Sequence, residues 1–130
     1  LSAAGLARLP GELARHAPAL VLLCHGGNDM LRRRPLERAA QNIERMIALA
    51  RGAGADVLLI GVPRPALLLS DADFYRDIAE RTGVAYAGDA LADILGDAGL
   101  KADPIHPNAA GYRRLAEHLR DRLVKAGALP

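Results

Sequence analysis

The sequence predicts an α/β domain built on a parallel sheet, and three observations carry that prediction. Short apolar runs alternate with segments of helical periodicity, the pattern of strand-helix-strand units. The run Ala19–Cys24 is apolar at every position, as a strand covered on both faces of a parallel sheet must be. Gly and Pro fall between the runs and punctuate them.

The elements follow in order. Leu6 to His16 reads as a helix with Leu6, Leu9 and Leu13 on one stripe, although Pro10 interrupts its donors. The strand Ala19–Cys24 comes next. Pro35 opens a helix at the position proline favours, and Leu36, Ala39, Ile43, Met46, Ile47 and Ala50 form its buried stripe. Gly52 and Gly54 stop it. Val57–Ile60 is a second strand, broken by Gly61 and Pro63, and Leu67, Leu68 and Leu69 follow in a Pro-flanked loop. Asp71 or Asp73 caps a short helix through Phe74, Ile78 and Ala79. Val84 to Tyr86 is a brief third strand, and Leu91 to Leu95 make one or two helical turns. Gly96 to His106 is a loop. Pro107 starts the last helix, with Tyr112, Leu115, Leu119 and Leu123 on its inward face. No repeat, low-complexity segment or linker divides the 130 residues, so one domain is expected.

Composition narrows the classes. Aromatics make up 3% and Trp is absent, so aliphatic side chains and Ala must fill the core. The net charge of +2 is too small to mark a nucleic-acid-binding surface. Arg32, Arg33 and Arg34 are the one basic run and read as a solvated loop, without the aromatics that stack on single strands. The single Cys24 excludes an internal disulfide and, lying in the apolar run, is expected as a buried filler. No stretch is long enough to span a membrane, and no signal-peptide pattern opens the chain. A soluble protein is expected, with periplasmic, secreted and cytoplasmic settings all open.

Two short motifs carry chemistry. His25-Gly26-Gly27-Asn28-Asp29 follows the first strand, where active sites of open α/β sheets lie. Gly26 and Gly27 permit tight backbone geometry, and the Asn28 amide is an uncharged donor suited to an oxyanion. Alone, the segment also suits an ordinary Gly-Asn turn. Near the other end stands Asp103-Pro104-Ile105-His106-Pro107-Asn108. An Asp three residues before a His can orient it as a general base, although Asp-x-x-His alone also suits a surface loop. His106, before Pro107, is expected at or near the N-cap of the last helix, whose positive end favours neutral imidazole. Asn108 supports the helix start, and Asp29 fixes its turn by hydrogen bonds. His16 and His118 fall on helix surfaces, and His25 lines the pocket or supports it from behind. No further ligands cluster with Asp103 and His106, so no metal is expected. No Gly-x-Gly-x-x-Gly follows a strand, which counts against a dinucleotide site.

Together the two motifs resemble the SGNH (GDSL-type) serine hydrolases, in particular the arylesterase, lysophospholipase and thioesterase branch. The resemblance runs from about Leu6 to the C-terminus. It implies a flavodoxin-like three-layer α/β/α sheet and acyl transfer without a cofactor. It also implies an oxyanion-hole role for Asn28 with backbone support from Gly27, His106 as general base, and Asp103 as its orienting partner. Small acyl esters, thioesters or lysophospholipids are the implied substrates. Pro63 to Ser70 leaves the second strand at its carboxyl end, so Leu67 and Leu68 are candidates for the acyl pocket, with core packing equally open.

The family's Gly-Asp-Ser block has no counterpart in the sequence. Of the two serines, Ser2 lacks the motif and Ser70 better suits a helix cap, so neither is assigned as nucleophile. Gly5 is too far along to supply the family's Gly oxyanion donor. The doubly apolar first strand would also have one edge bare, an aggregation hazard that proteins normally cover. At least one more strand is therefore expected, from residues upstream or from a partner chain. A catalytically inactive binding module and an acyltransferase of the same family are the alternative readings.

Overall fold

The structure, a computed structural model, describes residues 1–64 and 73–130. Helix α1 (Ser2–His16) leads into strand β1 (Leu20–Leu23), the five-residue helix α2 (Gly27–Leu31) and helix α3 (Leu36–Gly52). Strand β2 (Asp56–Ile60), helix α4 (Asp73–Thr82), strand β3 (Ala85–Ala87) and helix α5 (Ala90–Gly96) follow. A 3₁₀ turn (Ala98–Leu100), strands β4 (Lys101–Asp103) and β5 (His106–Pro107) and helix α6 (Ala109–Lys125) complete the chain.

The main sheet is parallel in the order β1-β2-β3, with Leu20 opposite Asp56 and Leu58 opposite Ala85. Strand alternation divides its side chains between two layers. Leu23, Val57 and Leu59 join Leu13 of α1, Ile43 and Ile47 of α3, and Ile78 of α4. Leu58, Ile60 and Ala87 join Leu119 and Leu123 of α6. This is the expected three-layer arrangement. Each large aliphatic side chain so buried contributes about 1.5–3 kcal/mol. Truncating fully buried Ile43 to Ala would cost about 2–5 kcal/mol.

Helix α3 shows how local sequence sets an element. Pro35 stands at its N-cap with φ −55°, and its predicted stripe of Ala39, Ile43, Met46, Ile47 and Ala50 is buried. Its end is closed by Gly54, at φ 86°, where a side chain would be strained. The Gly54 N–H donates to the Arg51 carbonyl, and the Ala55 N–H donates to that of Ala50. The chain reverses there and enters β2.

Several expectations need correction. Helix α1 begins at Ser2 and holds Pro10 inside it, on the exposed side. Cys24 is exposed and is no core filler. It shares a strand face with Leu20, which packs against the layer of Leu119 and Leu123, and Leu22, which is 49% exposed, so cover on that face fades toward the carboxyl end of β1. The segment after β1 is not only a turn, since α2 forms within it. The expected loop from Gly96 to His106 contains β4, which pairs antiparallel with β5. His106 lies in β5, and the N-cap of α6 is Asn108, whose side chain accepts the Gly111 N–H. Tyr112 is 54% exposed and lines the cleft rather than the core.

Candidate active site

Two loops that lie far apart in sequence meet at the carboxyl end of the sheet. The first leaves β1 through Cys24 and His25. Gly26 takes φ 109°, and a Cβ there would stand 2.4 Å from the Tyr75 hydroxyl oxygen. That hydroxyl donates to the His25 carbonyl, so α4 supports the turn from beneath. Helix α2 then presents Asn28 to solvent and turns Asp29 inward. The Asp29 carboxylate accepts the Ser2 N–H and the Ser2 hydroxyl, each at 2.8 Å. Asp29 therefore does fix its turn by hydrogen bonds.

The second loop carries Asp103 and His106. The Asp103 carboxylate accepts backbone N–H bonds from Ile105 at 2.8 Å and His106 at 2.9 Å. It also meets His106 Nδ1 at 2.8 and 3.0 Å. An ionised carboxylate only accepts, so Nδ1 is the nitrogen that carries a proton in this pair, and in the neutral ring the lone pair falls on Nε2. That is the tautomer a general base requires. The Ile105 N–H, followed by the His106 ring, holds the Asp103 carboxyl below the usual carboxylate range. Asn108 braces this loop by donating to the Gly99 carbonyl at 2.9 Å.

Asn28 and His106 line one cleft of about 390 Å³. Gly27, His25 and Cys24 also line it, and Leu31, Val62, Leu91, Leu95, Ile105 and Leu115 make much of its lining apolar. The size and lining suit a small ligand with one polar end. His25 packs its ring over Gly5, where a Cβ would stand 2.4 Å from the ring carbon. Burial chiefly, with a contribution from Arg8, pushes the His25 pKa below 6.5 against an opposing pull from Asp29. His25 is therefore neutral at physiological pH. His16 and His118 are exposed, as expected.

The structure thus brings together Asn28, Gly27, His25 and His106, with Asp103 behind His106. Leu67 and Leu68 lie outside the described residues. The sequence reading missed most of the apolar lining. Leu91 and Leu95, spaced one helical turn apart, were a usable signal, and so was Ile105 inside the histidine motif. Among the described residues no group of three or more His, Cys, Asp or Glu could hold a metal ion. No described helix is long and apolar enough to cross a membrane.

An α/β/α sheet with Asn28 and the Asp103–His106 pair at its carboxyl end is the arrangement that the resemblance to SGNH hydrolases implies. Comparison with known proteins agrees, since residues 2–114 match the GDSL-like lipase/acylhydrolase family. The chain belongs to that family. It is 38% identical over 124 residues to an esterase, TesA, of Pseudomonas aeruginosa, covering 91% of this chain and 62% of that protein. It is 33% identical over 127 residues to an arylesterase of Vibrio mimicus, covering 93% of this chain and 64% of that protein. The chain therefore spans less than two thirds of the length of these relatives. A crystal structure of TesA superposes with a TM-score of 0.81 at 37% identity, covering 94% of this chain and 71% of that one. The esterase EstA of Pseudoalteromonas sp. superposes with a TM-score of 0.83 at 24% identity over 98% of this chain and 73% of that one, a likeness of fold.

Proposed function

We propose that the protein is a serine ester hydrolase acting on small acyl esters, thioesters or lysophospholipids, with its nucleophilic serine on a segment outside these 130 residues. The observation that carries this reading is the convergence of Asn28 and the Asp103–His106 pair on one cleft. The relatives named above, an esterase and an arylesterase, support the reaction type. A relative in Escherichia coli, 39% identical over 62 residues, is a thioesterase and lysophospholipase, which supports the substrate range.

The serine oxygen attacks the acyl carbon while its proton passes to His106 Nε2. The oxyanion takes its hydrogen bond from the Asn28 amide. His106 then protonates the leaving oxygen or sulfur as its bond to the acyl carbon breaks. Water attacks the acyl-enzyme, gives a proton to Nε2, and the acid leaves as the serine regains its own. Asp103 keeps Nδ1 protonated and stabilises the imidazolium formed between steps.

The placement of the serine is supported by the sheet edge. Strand β1 pairs on one side only among the described residues, and Leu22 on its α6-side face is half exposed. A parallel strand added beside β1 would cover that edge and end at the same rim of the cleft. Ser2 is fully buried and is no candidate nucleophile. One alternative is an inactive module that keeps the cleft for binding. An acyltransferase would be separated from both by product analysis with and without an acceptor alcohol. The test of the main reading is His106→Ala in the protein as produced by its natural source. Turnover of a short p-nitrophenyl ester should fall by about 10³-fold or more. Near-normal turnover would remove His106 from the mechanism.

A further inference from the structure

We propose that Ser2 is a positioning residue, which through Asp29 fixes the short helix that carries Asn28. This rests on the reading of Asn28 as the oxyanion donor. Ser2 and Asp29 are the buried polar residues of the described chain. Taking a carboxylate out of water is costly unless its oxygens are met by donors. No Lys, Arg or His pairs with Asp29 among the described residues. The Ser2 N–H meets Oδ2 and the Ser2 hydroxyl meets Oδ1 instead. A third residue sets the direction of that hydroxyl. Asn42 of α3 donates from Nδ2 to Ser2 Oγ at 3.1 Å, which leaves the hydroxyl proton to point at Asp29.

A carboxylate that accepts a first-turn N–H also serves α1 as an N-terminal cap, and stability alone could explain that much. The function lies in what sits beside Asp29. Helix α2 has five residues, too few to hold its own shape. Consecutive residues of a helix stand about 100° apart around its axis. With Asp29 locked inward, Asn28 is directed outward into the cleft. Ser2 and Asn42 thus hold α2 from α1 and α3. The Tyr75 bond to the His25 carbonyl holds the entry to the same turn from α4. A donor aimed at a developing charge loses effect when its backbone shifts, and a misplacement of about 1 Å costs about 10²-fold.

The test is Ser2→Ala, read by amide hydrogen exchange and by steady-state turnover of p-nitrophenyl acetate. Exchange should quicken at the amides of residues 28–34 by about tenfold or more and stay unchanged in β2 and the middle of α3. The kcat should fall by about 10- to 100-fold with KM altered less than about twofold, a split that general loss of stability does not give. Asn42→Ala keeps both Asp29 donors but frees the hydroxyl, so it should shift both readouts in the same direction by less. It serves as the working variant if Ser2→Ala does not fold. Unchanged exchange at residues 28–34 in the variant that folds would overturn the proposal, as would a normal kcat beside a normally active parent. The exchange measurement needs no turnover. A parent that hydrolyses nothing counts against the esterase reading alone, and the anchoring of α2 is still decided by exchange.

Discussion

Replacing Gly111 with Ala should destabilise the protein, although Gly→Ala in a helix normally stabilises. Gly111 lies buried in the first turn of α6. A Cβ there would stand 2.0 Å from the Leu100 carbonyl oxygen, 2.8 Å from Pro107 Cβ and 3.1 Å from Ile94 Cγ2. The Leu100 carbonyl cannot simply swing away, since it accepts the Asn108 N–H at 2.9 Å. Relief requires α6 or the 3₁₀ turn to retreat by about 1 Å, the gap between 2.0 Å and the 3.0 Å floor of real Cβ contacts. Such overpacking costs about 1–3 kcal/mol, and losing the Asn108 bond adds about 0.5–1.5 kcal/mol. Ala returns about 0.5–1 kcal/mol through its helix preference. The net expectation is a loss of about 0.5–4 kcal/mol. Gly11 in α1 is the control, because a Cβ there meets nothing within 4 Å. Gly11→Ala should stabilise by about 0.5–1 kcal/mol. Urea and thermal unfolding of both variants measure this, with roughly 3–5 °C in Tm per kcal/mol for a chain of this size. Equal or greater stability of Gly111→Ala would refute the close approach of α6 that sets the height of the His106 strand.

Three further predictions concern the site. Asn28→Ala should lower ester turnover by about 10²–10³-fold with the fold intact, measured by kcat and circular dichroism; a loss below tenfold would argue against an oxyanion donor. Asp103→Asn should lower kcat by about 10⁴-fold, because an amide can hold His106 with the proton on the wrong nitrogen; stopped assays over a range of pH would detect an unaffected enzyme. The His25 pKa is lowered by folding, so the unfolded chain binds the proton more readily and protonation favours unfolding. Stability from this residue is complete above pH 6.5 and declines as the pH falls through 6.5 toward the lower folded value. His25→Gln should flatten that part of the curve in denaturant titrations across the range, and an unchanged slope would contradict the burial argument.

The layer order was legible in the sequence because it rests on periodicity. The stripe from Ala39 to Ala50 and the run from Val57 to Ile60 bury as their spacing requires. The errors fall where tertiary context overrides the local pattern. Cys24 continues an apolar run yet is exposed, since burial of that face depends on α6, about a hundred residues later. His106 precedes a proline, which suggested a helix start. Pairing with Lys101 and Asp103 instead makes Pro107 a strand residue and passes the cap to Asn108. The two loops of the site were readable because each holds its chemistry within a few residues. Ser2 was not, because its partner Asp29 lies 27 residues away and no local pattern announces it.

The most direct test of the proposed mechanism is labelling of the naturally produced protein with a fluorophosphonate, followed by peptide mapping. The account predicts one labelled serine, on a peptide outside residues 1–130, and labelling that slows strongly with His106→Ala. Label on Ser2 or Ser70, or no label at all, would contradict it.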